Sequence, residues 1–268
     1  MSHPTPTAPN LTTLKRGGLR LAAWGEGPRA VLALHGWGGS HLTFAPLIPH
    51  LPPDVSLYAP DLPGYGASPP LRDWAREAYV ERLVELIDQL PHERFTLLGN
   101  CSGAILGLSA LLSRTERVDR VVMLDAFAFT PWYFGVFLWP VLGPLAFWST
   151  FANPAGRWLT NASLARHRAN ETHLTSSFER VPVATSWNTL RILDEIGTPE
   201  PFSAISVPTT LIHGERTFGA VKASLPRWRQ VWPHLEAVGL EGVGHLPIVE
   251  APAEVARLAF AAPGVSPR

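Results

Sequence analysis

The chain has 268 residues, 46% hydrophobic and 16% charged, which supplies apolar material for a large core and excludes a disordered chain. Lys plus Arg and Asp plus Glu both number 22, so no net charge draws it to nucleic acid or to an acidic surface. Its single cysteine, Cys101, excludes an intramolecular disulfide and a cysteine-based metal cluster.

In chain order, "MSHPTPTAPN" lacks a basic region followed by an apolar run and does not read as a secretory signal. A cytoplasmic enzyme is the default expectation, with these ten residues and the tail "PGVSPR" as loose ends. "AVLALHG" (30–36) reads as a buried strand entering a Gly-rich turn, and "VSLYAPDLPGYGAS" (55–68) as a strand ending in a Pro/Gly loop. Tyr79, Leu83, Leu86, Ile87 and Leu90 recur at helical spacing over 76–90, and Pro91 stops that helix. "FTLLGN" is a strand, "SGAILGLSALL" a small-residue helix, and "RVVMLDAF" (120–127) a further strand. The rhythm resumes with a strand in "VPTTLIHGE" (207–215), a helix over 220–232, a strand near 235–240 and a closing helix in "PAEVARLAF". Strands alternating with helices predict an α/β fold, a mostly parallel sheet covered on both faces. The boundaries expected are core over 1–126, an inserted cap or lid over 127–203, and core again over 204–268.

The insertion carries no charge from Ala126 to Gly156 and includes "PWYFGVFLWPVLGPLAFW". Its length would permit a membrane span, but Pro131, Pro140, Gly143 and Pro144 break it into shorter pieces. Aromatic residues fill it throughout, whereas spanning helices gather Trp and Tyr at their ends. A lid over a hydrophobic site is the preferred reading, with membrane-surface contact through the lid as the alternative.

Five segments, "LHGWGGS", "APDLPGYGAS", "LLGNCSGA", "PTTLIHGE" and "GVGHLPIVEAP", occur in the order and spacing of the α/β-hydrolase superfamily, which the chain resembles from about residue 30 to its end. The resemblance implies an α/β-hydrolase fold with an inserted lid. Gly99-Asn100-Cys101-Ser102-Gly103 is similar to the G-x-S-x-G nucleophile turn, with Cys101 at the nucleophile position, as in dienelactone hydrolases and polyhydroxyalkanoate synthases. His245 stands where the superfamily carries its catalytic histidine. The acid is less regular: the usual position, three residues after Gly214, holds Thr217, which cannot stabilise an imidazolium by charge. Asp125 resembles the acid of members, such as haloalkane dehalogenases, that take it from the earlier strand. Glu215 is the second candidate, and a carboxylate that merely caps the lid is the plain reading of Asp125.

Cys101 at a helix start gains from the backbone N–H groups and from His245 as a thiolate, and thiol nucleophiles need less help from a carboxylate than hydroxyls do. The competing readings are an inert buried cysteine and a shifted turn with Ser102 as nucleophile. Oxyanion contacts are expected from backbone N–H of Trp37 and Ser102. Asp61, Tyr65 and His35 are expected to shape the structure around the site. Trp132, Phe134 and Trp139 are expected to bind substrate, the lid aromatics closing their own small core being the alternative. No motif for a nucleotide or a metal is present, so no cofactor is implied. The reading is an acyl-transfer hydrolase acting on an ester, thioester or lactone of a small apolar acyl or aromatic substrate. An acyltransferase or lactone-forming enzyme, and a non-catalytic binding protein on the same scaffold, are the alternatives.

Overall fold

The central strands read as unbroken apolar runs because both their faces are covered, and successive residues feed different cores. The computed structural model describes residues 8–167, 178–179 and 181–262. It contains an eight-stranded sheet: β1 (Asn10–Thr13), β2 (Arg20–Trp24), β3 (Arg29–Leu34), β4 (Val55–Pro60), β5 (Phe95–Asn100), β6 (Val118–Leu124), β7 (Thr209–Gly214) and β8 (Glu236–Leu240). Their spatial order is β1-β2-β4-β3-β5-β6-β7-β8, parallel from β4 to β8 and antiparallel at the β1–β2–β4 edge. Leu32, Leu34, Leu97, Val121 and Met123 pack on one face. Val31, Ala33, Leu98, Val122 and Leu124 pack on the other.

The first face is covered by α1 (Arg76–Asp88), α2 (Ser102–Leu111) and α6 (Gly219–Val231), through side chains such as Tyr79, Leu83, Leu106 and Trp228. The second is covered by a 3-10 segment, His41–His50, and by α8 (Pro252–Ala259), which follows the short α7 (Pro247–Glu250). Strands β1 and β2 have no counterpart in the sequence reading. Asn10 belongs to β1 rather than to a loose end, while residues 1–7 and 263–268 lie outside the described residues. With 4 and 5 residues, β1 and β2 are both too short to show a reliable period.

Between β6 and β7 the inserted segment, the lid expected from the sequence, consists of short pieces whose starts coincide with prolines. Pro131 precedes a 3-10 turn, Trp132–Leu138, and Pro144 opens α3 (Gly143–Phe147), which continues as a π-helical turn, Trp148–Ala152. Pro154 begins α4 (Pro154–Ser163), where the Asn153 side chain accepts from the Ala155 N–H at 2.9 Å. After these comes α5 (Val183–Ile196). Ile192 and Phe202 reach the main core, so the end of the inserted segment packs as part of the α/β body.

The turn from β5 into α2 sets the position of the site. Helix α2 lies close to β3 and β5 because Gly99 and Gly103 leave room for backbone to meet backbone. A Cβ at Gly103 would collide with the Leu34 carbonyl, and one at Gly99 with the Ala104 backbone. Gly103→Ala is therefore expected to lower unfolding free energy by about 1–3 kcal/mol, the usual cost of overpacking. Urea denaturation checks it, and an unchanged midpoint would show that the turn relaxes freely.

Candidate active site

Only two non-glycine residues among the described ones have left-handed backbone, Cys101 (φ 50°) and Asp125 (φ 47°). Such geometry is disfavoured for residues with a Cβ and clusters where surrounding structure holds a functional side chain in place. Both stand at the carboxyl ends of neighbouring parallel strands, β5 and β6. The Cys101 N–H donates to the Leu124 carbonyl at 2.7 Å, and the Asp125 N–H to that of Ile212 at 2.9 Å, so each turn is fastened to the next strand.

His245 lies on the loop after β8, which is fixed to the end of β7: the Glu215 N–H donates to Leu240 at 2.9 Å and the Arg216 N–H to Val243 at 2.8 Å. A Cβ at Gly214 would strike the Gly244 carbonyl, so glycine permits this approach. His245 Nδ1 is 3.1 Å from Asp125 Oδ2. Thr217 Oγ1 donates to the same Oδ2 at 3.0 Å and sits 3.1 Å from Nδ1, from which it accepts. Asp125 Oδ1 accepts the Gly214 N–H at 3.2 Å. The carboxylate is fully buried and held on both oxygens.

Burial pulls the His245 imidazolium down. Hydrogen bonds with Asp125 and Cys101, and the negative charge on both, outweigh burial and push its pKa up to about 10. A ring bound through Nδ1 to Asp125 has Nε2 left for Cys101. Phe218 packs on the imidazole with ring centres 4.3 Å apart. The His245 N–H donates to the lid carbonyl of His167 at 2.8 Å.

Asp125 and His245 thus come together with Cys101. Glu215 is exposed and accepts from the Gly242 N–H at 3.1 Å, away from the imidazole. The Ser102 hydroxyl is buried without a hydrogen-bond partner among the described residues. Thr217 was read only as a missing acid; its bridging hydroxyl is what sequence reasoning missed. The signal was its spacing from Gly214, which puts a side chain beside the imidazole whether or not that side chain is charged.

Gly36 lies against the nucleophile turn, where a Cβ would come 3.2 Å from that of Cys101, and this brings the Trp37 peptide beside the site. His35 fixes that turn: burial pushes its pKa down to about 4, and the neutral ring accepts the Leu62 N–H at 3.0 Å and donates to the Gly36 carbonyl at 2.9 Å. Asp61 accepts the His41 N–H at 2.8 Å and the Ala67 N–H at 2.9 Å, while Tyr65 meets the His35 ring edge-on. All three shape the loops beneath the site. The Trp37 side chain reaches into the lid: its N–H donates to the Ser186 carbonyl at 2.8 Å, and its ring packs against Phe134, Phe147, Phe151 and Phe178.

Cys101 and His245 open onto a cavity of ≈ 820 Å³ between sheet and lid. Phe127, Phe129, Phe134, Phe137, Phe202 and Phe218 line it; no Asp, Glu, Lys or Arg does so among the described residues. Phe134 is in the wall as expected. Trp132 and Trp139 are not: they are 89% and 56% exposed. The lid turn has a period of three, so Phe134 and Phe137 share the inner side and the two tryptophans fall outside it.

The Asp125–Thr217–His245 contacts predict a pH-dependent stability. His245 titrates near 6.5 when unfolded and near 10 when folded. Its contribution is present in full below pH 6.5 and is lost as pH rises towards 10. Thr217→Val, which leaves Asp125 Oδ2 without its hydroxyl donor, is expected to cost about 1–3 kcal/mol at neutral pH, and Thr217→Ser much less. Urea midpoints measured across this range check both; equal losses in the two variants would reduce Thr217 to packing.

Residues 31–258 match the alpha/beta hydrolase family. Among curated relatives, the chain is 25% identical over 241 residues to a pimeloyl-[acyl-carrier protein] methyl ester esterase of Aeromonas hydrophila, covering 85% of this chain and 92% of that one. It is 37% identical over 120 residues to a serine hydrolase-like protein of Danio rerio, and there the match spans 43% of this chain and only 36% of the relative. Among solved structures, a meta-cleavage product hydrolase from Pseudomonas fluorescens superposes with a TM-score of 0.71 at 20% identity, covering 92% of this chain and 95% of that one. The thioesterase domain from the curacin biosynthetic pathway gives 0.68 at 20% identity, covering 95% and 100%. With the sheet order, the strained turn after β5 and the histidine loop after β8, the match places this chain in the alpha/beta hydrolase family.

Proposed function

We propose that the protein is a cofactor-independent acyl-transfer hydrolase that cleaves an ester or thioester of an apolar acyl substrate through an acyl-cysteine. The observation that carries this reading is the charge arrangement at Cys101. A nucleophile on a strained turn hydrogen-bonds with an imidazolium that a buried, doubly held carboxylate stabilises, and all of it faces an apolar cavity. The esterase and thioesterase among the relatives and structural neighbours support an ester or thioester bond as the target.

The Cys101 thiolate forms a bond to the carbonyl carbon, and backbone N–H groups of Trp37 and Ser102 receive the oxyanion. As the C–O or C–S bond to the leaving group breaks, His245 Nε2 gives up its proton to that group. The now neutral imidazole takes a proton from water, whose oxygen attacks the thioester carbon. The Cys–acyl bond then breaks and the thiolate–imidazolium pair is restored. Asp125 and Thr217 keep Nδ1 protonated and the ring oriented throughout. The absence of charged groups in the described wall favours an uncharged acyl moiety, because a charge buried there would have no partner.

The test is intact-protein mass spectrometry after brief exposure to a series of p-nitrophenyl esters and acyl thioesters. A single acyl adduct is expected in the wild type and none in Cys101→Ala. Asp125→Asn is expected to slow loading by on the order of 10²-fold, the usual weight of one acid–base group. An adduct that persists in Cys101→Ala would contradict the assignment. An adduct stable in water but discharged by an added amine or thiol would make the protein an acyltransferase. A silent site across the series would favour the binding-protein reading.

A further inference from the structure

The lid has two apolar sides where its own folding needs one. Phe137, Phe147 and Phe151 pack inward, with Trp37, into a closed cluster of their own. Yet most of the large apolar side chains that stand exposed among the described residues also lie in the lid, between Trp132 and Leu159. Trp132, Val136, Trp139, Val141, Leu145 and Trp148 belong to this outer set; Val141 is 83% exposed. A helix buries a single apolar stripe when it covers a core, and a concentration of exposed apolar residues marks an interaction surface.

We propose that this outer face docks the protein on the surface of a lipid bilayer or micelle, with the lid lying in the interfacial plane. Three features choose lipid over a protein partner. The chain from Ala126 to Gly156, which carries all six of these side chains, holds no charged residue, and the first charge beyond it, Arg157, is paired with Glu179 at 3.0 Å, so charge contributes little to fixing a protein partner's register on this face. The face displays several tryptophans, whose rings combine apolar area with a polar N–H and settle at the headgroup boundary. Its segments are short and sharply bent, and by length and composition the pair fits a lipid interface or a shallow re-entrant entry into one. The segments Trp132–Leu138 and Gly143–Ala152 meet at 118°, and no single helix among the described residues is long and apolar enough to cross a membrane. Tyr133 is both exposed and part of the cavity wall, so the docking face borders the entrance to the apolar cavity. An uncharged acyl substrate can then pass from lipid to Cys101 with little exposure to water. Because the chain's formal net charge is zero, docking requires neither anionic lipid nor low salt.

The experiment mixes the full-length protein with phosphatidylcholine vesicles, with and without brominated acyl chains, and reads tryptophan fluorescence and co-sedimentation. Binding with a blue shift and bromine quenching, preserved at high salt, is expected. Val141→Ser/Leu145→Ser and, separately, Trp132→Ser are expected to weaken partitioning by about tenfold or more through lost apolar burial. Their thermal unfolding should match the wild type, since these side chains are exposed. Cys101→Ala is expected to bind as the wild type does, so failure of the docking surface and failure of the nucleophile assignment are separate results. No partitioning to phosphatidylcholine, partitioning restricted to anionic vesicles and abolished by salt, equal binding by the surface variants, or a stable dimer that shields these tryptophans would overturn the proposal.

Discussion

Everything at this site depends on keeping a positive charge on a buried imidazole. Desolvation opposes that charge, and only negative groups fixed at hydrogen-bond distance reverse the balance. Asp125 Oδ2 provides one at 3.1 Å from Nδ1, and the interaction with Cys101 adds to it. The carboxylate is itself buried and stays in place because Thr217 Oγ1 and the Gly214 N–H each donate to it. Residues from the ends of three strands and one loop thus form one electrostatic unit. Left-handed backbone at Cys101 and Asp125 is the conformational cost of aiming two of its members at the third.

The position three residues after Gly214 holds Thr217 rather than a carboxylate, yet a carboxylate still meets the imidazole. Asp125, from the end of β6, reaches His245 Nδ1, and the Thr217 hydroxyl contacts both partners. A hydroxyl can donate to the carboxylate while accepting from Nδ1–H; a second carboxylate could only accept, and would repel Asp125. This explains how the small side chain of Thr217 and the displaced acid coexist. It is compatible with the proposed thiol nucleophile, since thiols need less help from a carboxylate than hydroxyls do.

The sequence made the core legible because its signals were local. The apolar runs at 30–34 and 95–100, the helical spacing of Tyr79 to Leu90 and the glycines around Cys101 each arise from short-range sterics or two-faced burial. His245 and Asp125 were legible through the resemblance of their flanking segments. The bridge through Thr217 was not, because it joins positions 92 and 28 residues away in the chain and depends on their approach in space. The orientation of the lid aromatics is hidden from the sequence for a related reason. Composition shows that "PWYFGVFLW" is aromatic but not which ring faces inward, and the three-residue turn sends Phe134 to the cavity and Trp132 and Trp139 to solvent. Trp37, expected chiefly as an oxyanion contact, also ties the catalytic turn to the lid's aromatic cluster.

The central claim is that His245 rests as an imidazolium held by Asp125. The most direct measurement is an NMR titration of the His245 ring nitrogens in selectively labelled protein, with Asp125→Asn beside the wild type. The account predicts that both nitrogens of wild-type His245 stay protonated through neutral pH and titrate only towards pH 10, and that the midpoint falls when the carboxylate is removed. A wild-type midpoint near the ordinary 6.5, unmoved in Asp125→Asn, would contradict it.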